Sequence, residues 1–180
     1  MTREAASSQG SPVVARRAVA DDRLEGVQAL VAGIADPEIP VVTLADLGIL
    51  RSVEAIDGVV VVTLTPTWSG CPAIEAIVAM AEQTLAANGF ADVRVRISRA
   101  PAWTTDWITD QGRERLRRYG IVPPGSVTND GNLAPVTLPA PCPQCGSRRN
   151  ERLAVFGSTP CKALYRCLAC REPFEAMKAI

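Results

Sequence analysis

Two Cys-x-x-Cys turns near the C-terminus, Cys142-Pro-Gln-Cys145 and Cys167-Leu-Ala-Cys170, constrain this chain more than any other feature. They are separated by 21 residues, close to the usual zinc-ribbon spacing and slightly longer than it. Each turn presents two thiolates to one tetrahedral ion, and four sulfur ligands leave no position for water or substrate. The expected role is structural, because a segment of roughly 40 residues buries too little apolar surface to fold unaided and zinc binding worth about 10 kcal/mol or more supplies the difference. A redox pair, an iron-sulfur ligand set, or a site in which Cys161 replaces one of the four are the competing readings. Cys161 itself, in GSTPCKALYRC, reads as a packed or spare thiol.

Five of the six cysteines fall after residue 140, and only Cys71 lies in the long apolar region before it, so a chain of 180 residues is expected to form two units. Lys plus Arg and Asp plus Glu both number 19, so no net field draws the protein to nucleic acid or to an anionic membrane. No stretch approaches the roughly 20 apolar residues of a membrane span, and the first residues lack the apolar centre of a signal peptide. The expected compartment is the cytoplasm, where thiols stay reduced and clustered cysteines point to metal. Histidine is absent. That removes the Ser-His-Asp triad, the His-Glu-x-x-His zinc proteases and the Glu-x-x-His di-iron bundle, and it weighs against hydrolysis or oxygen activation within this fold.

Residues 1–20 show no periodicity and read as a flexible tail. From Asp21 or Asp22, read as an N-cap, apolar Leu24, Val27, Leu30, Val31 and Ile34 recur at helical spacing, and Pro37 ends the run. GILRSVEAI and VVVVTLT flank Asp57-Gly58 and predict a hairpin with a primed turn. A helix over Ala73–Leu85 follows, with Pro72 in its first turn and Asn88-Gly89 as its stop. ADVRVRISR alternates as a half-buried strand, and Asp106–Tyr119 reads as one further helix with Trp103, Trp107 and Leu116 turned inward. The expected fold is α+β: a small α/β sandwich over residues 21–120, a Pro/Gly-rich linker over 121–141, and a zinc β-ribbon over 142–180.

Asp36-Pro-Glu-Ile-Pro40, then Asp46-Leu-Gly48, the hairpin and the Cys-Pro of SGCPA together resemble the SufT-like iron-sulfur assembly domain family. The resemblance implies iron-sulfur protein maturation, with Cys71 as the reactive thiol and Asp36 as the family aspartate. TPTWSGCPA, WTTDWI, the Arg-rich helix, CPQCGS, FGST, CKALYRC and CREPF, in that order over about residues 22 to 176, further resemble the PaaD-type family of phenylacetate degradation. That likeness implies an accessory role in the phenylacetyl-CoA epoxidase system, with the oxygenase and reductase components as partners, structural Zn2+ and transient iron or an Fe-S cluster as cargo. The ending EAMKAI departs from the family, in which an aromatic residue is expected near Met177.

Each of these residues also has a plainer reading. Cys71, just ahead of a helix, is either a thiolate favoured by the helix dipole or a space-filling core cysteine. Asp36 is a turn residue beside Pro37, or a group near Cys71 that helps hold and release iron. Arg113, Arg115, Arg117 and Arg118 form a solvated helix face or, at Arg115 and Arg118, a docking surface for an acidic partner. Trp68, Trp103 and Trp107 read as core or interface residues, since no basic field accompanies them as nucleic-acid binding would require. Two functions stand: a maturation factor acting through Cys71, or a structural adaptor. Catalysis by this chain alone is disfavoured.

Overall fold

A computed structural model describes residues 20–68, 70–125 and 141–179. The proposed tail, apart from Ala20, and most of the proposed linker lie outside the described residues. Helix α1 spans Asp21–Ala32 and buries Val27 and Val31. Its N-cap is Ala20 rather than Asp21 or Asp22, whose carboxylates instead sit in the first turn, where they still complement the dipole. Strands β1 (Leu50–Ile56) and β2 (Val59–Leu64) form the expected antiparallel hairpin. Asp57 and Gly58 take φ of 55° and 81°, the double left-handed geometry that a primed turn demands.

β2 is the central strand of the first sheet, ordered β1-β2-β3, and is buried at every residue from Val60 to Leu64, which explains its unbroken valine run. Helix α2 (Ile74–Ala87) carries the chain over to β3 (Arg94–Ile97), which pairs parallel with β2. Pro72 lies outside α2, two residues before its first residue, because Ala73 is the N-cap. β3 alternates exposed Arg94 and Arg96 with half-buried Val95 and Ile97, and the Arg96 guanidinium donates to Thr63 Oγ1 at 2.9 Å.

The single helix expected over Asp106–Tyr119 is two pieces, a 3-10 turn at Thr105–Trp107 and helix α3 at Asp110–Tyr119. The break falls at Thr109, whose amide donates to Asp46 O at 2.9 Å and whose side chain caps Gly112 N at 2.9 Å, so the chain restarts its helix there. Gly120, at φ 89°, ends α3 in the left-handed region. Ile121–Val122 then forms β4, which corrects the linker start: these buried residues pair in parallel with β7 (Pro173–Met177). β4, β7, β6 (Lys162–Cys167) and β5 (Asn150–Ala154) make the second sheet in that order. Met177, on the last strand, is buried in the main core with Ile121 and Leu116, so the second unit is packed against the first. The architecture is therefore mixed α+β with two small sheets.

Candidate functional site

The four cysteines of the two turns converge. Cys142 Sγ lies 3.7 Å from Cys170 Sγ and Cys145 Sγ 3.5 Å from Cys167 Sγ, and all four sulfurs lie within 4.8 Å of one another. A tetrahedron with Zn–S bonds near 2.3 Å has sulfur edges of about 3.8 Å, so the donor set fits one ion of that kind. The two turns are alike locally: Gly146 N donates to Cys142 O and Arg171 N to Cys167 O, and both residues are left-handed, at φ 72° and 70°. The Cys170 and Ala169 amides draw the Cys167 thiol down to about 6. Cys170 is pushed up to about 12: the Glu172 amide favours its thiolate, but burial and the crowding thiols outweigh that amide. Four adjacent sulfurs cannot all ionise without a cation between them, and a divalent ion resolves the conflict.

A second convergence lies where the two units meet. Asp36, Glu38, Cys71 and Cys161 line one cavity, with Ile39, Leu47 and Met177 among its apolar walls. Asp36 Oδ1 accepts the amides of Glu38 at 2.9 Å and Ile39 at 2.8 Å, closing the turn that Pro37 and Pro40 frame. Burial raises the Asp36 carboxyl, although those two amides and the Lys162 ammonium work the other way. The thiolate expected at Cys71 is opposed. Burial pushes this thiol up, the Ala73 amide counters it, and Glu38, Cys161 and Asp36 push it further up. The helix-end amide of Ala73 still favours the thiolate, as the helix-dipole argument expects, but burial and the nearby carboxylates act against it.

Cys161 is the residue that sequence reasoning set aside. It sits at the start of β6, its sulfur 3.1 Å from Thr159 Oγ1, and burial pushes its thiol up. The one sequence signal was arithmetic: a fifth cysteine beside a complete set of four. Lys162 was also missed. It is 3% exposed and its ammonium lies 2.9 Å from Glu175 Oε2, a buried cation at the first residue of β6.

The arginines divide. Arg115, one of the docking candidates, is half-buried and ion-paired, its Nη1 2.6 Å from Asp46 Oδ2. Asp46 also accepts the Thr43 amide at 3.0 Å and the Thr109 hydroxyl at 3.3 Å, so the aspartate of DLG is a junction between the loop and α3. Arg113 reaches the carbonyls of Pro124 and Thr105. Arg118 has a side chain 79% exposed and pairs with Glu114. Trp103 is buried, donating to Leu47 O at 2.8 Å, and Trp107 lies under the Arg51 guanidinium at 3.5 Å. Trp68 is exposed, 5.2 Å from the Lys178 ammonium, which also lies 4.0 Å from the Phe156 ring. No helix among the described residues is long and apolar enough to cross a membrane.

Residues 24–97 match the family model described as iron-sulfur cluster assembly protein, and residues 128–178 match that of the PaaD zinc beta ribbon domain. The chain is 45% identical over 162 residues, 90% of its length and 96% of the relative's, to an Escherichia coli (strain K12) protein named as a putative 1,2-phenylacetyl-CoA epoxidase component. It is 30% identical over 94 residues, 51% of its length and 89% of the relative's, to the Fe-S protein maturation auxiliary factor of Porphyromonas gingivalis (strain ATCC BAA-308 / W83). A solved domain of unknown function, DUF59, from Bacillus anthracis is 24% identical with a TM-score of 0.48, over 53% of this chain and 92% of that one.

Proposed function

Since the chain belongs to the PaaD-type family of phenylacetyl-CoA epoxidase components, we propose that it is an accessory factor that helps assemble iron or iron-sulfur centres in that multicomponent epoxidase, in the oxygenase or its reductase. The observation that carries this reading is the shared cavity of Asp36 and Cys71, residues 35 positions apart in sequence yet walls of one space. A thiol and a carboxylate on one cavity are soft and hard donors suited to ferrous iron. Iron is the cargo. It is held at Cys71 and Asp36 and passed on, while structural Zn2+ at Cys142, Cys145, Cys167 and Cys170 keeps the ribbon folded.

A closed four-thiolate site has no open coordination position, so the zinc centre does no chemistry of its own in this scheme. The ribbon also contributes recognition. Leu153, Val155 and Phe156, on and just after the edge strand β5, are exposed at 47%, 52% and 57%. That patch also favours the second reading, a structural adaptor that only bridges the epoxidase components, because an apolar edge of this kind suits a protein partner.

A strain lacking the gene, complemented with wild type, Cys71→Ala or Asp36→Ala, separates the two readings. The maturation reading expects loss of phenylacetate-dependent growth with both variants and a purified oxygenase or reductase deficient in iron, the deficient component being the client. Full growth with normal iron occupancy in Cys71→Ala would refute it and leave the adaptor.

A further inference from the structure

We propose that Cys161, supplied by the ribbon, is a second sulfur ligand for the iron held at Cys71, so that one ferrous ion is gripped between the two units by Cys71, Cys161, Asp36 and Glu38. This deepens the maturation reading and rests on it. The placement is the first argument. Among the described ribbon residues, Cys161 and Met177 reach the cavity, and Met177 is buried in the main core, so the packing that seats the ribbon also delivers Cys161 to the cavity wall. Lys178, one residue beyond, donates its amide to Cys161 O at 2.9 Å and its ammonium to Pro160 O at 2.6 Å, fixing the backbone that carries the thiol.

Size is the second argument. The cavity holds about 10 Å3, room for one water-sized body such as a single ion. Chemistry is the third. Two thiols and two carboxylates form a mixed donor set suited to Fe(II), and as the ion enters, the thiols release their protons to water. Two thiolates and two carboxylates exceed the ion's charge by two, and the Lys162 ammonium, although paired with Glu175, still acts on Asp36 and offsets part of that excess. Among the described residues it is the ribbon sulfurs that gather within 4.8 Å of one another, so the four cavity donors reach one ion only when their side chains turn inward onto it.

The test adds Fe(II) anaerobically to the zinc-loaded full-length protein and measures bound iron and zinc by equilibrium dialysis and metal analysis. Wild type is expected to take one iron per chain beyond its zinc. Cys71→Ser and Cys161→Ser should each weaken iron binding at least about tenfold, one lost ligand costing on the order of 1.4 kcal/mol or more. Zinc should remain at one per chain in both, reporting an intact ribbon. Cys161→Ala, which removes the donor without adding a hydroxyl, should match Cys161→Ser, and Arg118→Ala should bind as wild type. Unchanged iron affinity in both Cys161 variants with a loss in Cys71→Ser overturns the proposal and leaves iron to the first unit alone. Wild type that binds no iron beyond zinc also overturns it, and the growth test at Cys71 then judges the maturation reading separately.

Discussion

Replacing Glu175 by glutamine should destabilise the protein by about 3 kcal/mol through a residue it leaves untouched, Lys162. The Lys162 side chain is 4% exposed and its ammonium is 2.9 Å from Glu175 Oε2, on the neighbouring strand. Removing one member of a buried pair costs roughly 3–5 kcal/mol, because the other charge stays buried and unpaired. The lower end applies, since the Glu175 side chain is 23% exposed and water reaches that side. Burial alone would raise the Glu175 carboxyl, but the Lys162 and Ser158 bonds hold it below its usual 4.5. A lowered carboxyl contributes stability that is fully present above its unfolded value and is lost as pH falls through the folded one, so pH 7 reads the whole effect. Urea unfolding of zinc-loaded protein, followed by two coincident probes, is the assay. The double variant Lys162→Met, Glu175→Gln removes the stranded charge and should recover about 2 kcal/mol of the loss. A Glu175→Gln protein within about 0.5 kcal/mol of wild type, or a double variant no better than the single one, would refute the reasoning.

Three further outcomes are expected. A strong chelator, or Cys142→Ser, should unfold the ribbon and release its metal, which metal analysis and amide hydrogen exchange will read; a Cys142→Ser protein retaining a full equivalent of zinc would remove Cys142 from the site. Asp46→Ala should cost about 2–3 kcal/mol in chemical denaturation, since it strips acceptors from Thr43 N, Thr109 Oγ1 and Arg115 at once. Gly112→Ala should lower the melting temperature although alanine is the better helix former, because its Cβ would stand 2.7 Å from Asp46 O.

Several elements were legible in the sequence because their causes are local. The β1–β2 hairpin follows from Asp57-Gly58, whose φ values of 55° and 81° few other dipeptides accept. The α3 stop follows from Gly120 and the Asp36 turn from its proline frame, both within a few residues of their cause. The errors sit where a distant partner decided the outcome. The helix expected over Asp106–Tyr119 breaks because Asp46, 63 residues earlier, captures Thr109. The Arg115–Asp46 ion pair was not legible because nothing nearby in sequence announces Asp46 as its partner. Ile121–Val122 looked like linker because two residues carry no strand pattern until β7 lies beside them.

The two candidate sites divide in the same way. Spacing alone determined the ribbon ligands, since Cys-x-x-Cys bends two sulfurs toward one point whatever surrounds it, and two such turns need only meet. The motifs around Cys71 and Asp36 marked them as residues of interest in the same local way. Tertiary structure alone decided that Cys161 shares their cavity, that Cys71 faces carboxylates and is pushed up instead of ionised, and that Lys162 lies buried beside them. The physical reason is one of range. Backbone geometry and ligand spacing act over a few residues and are written in order along the chain, whereas burial and electrostatic environment depend on which distant surfaces meet, and here that depends on Met177 seating the ribbon in the core of the first unit.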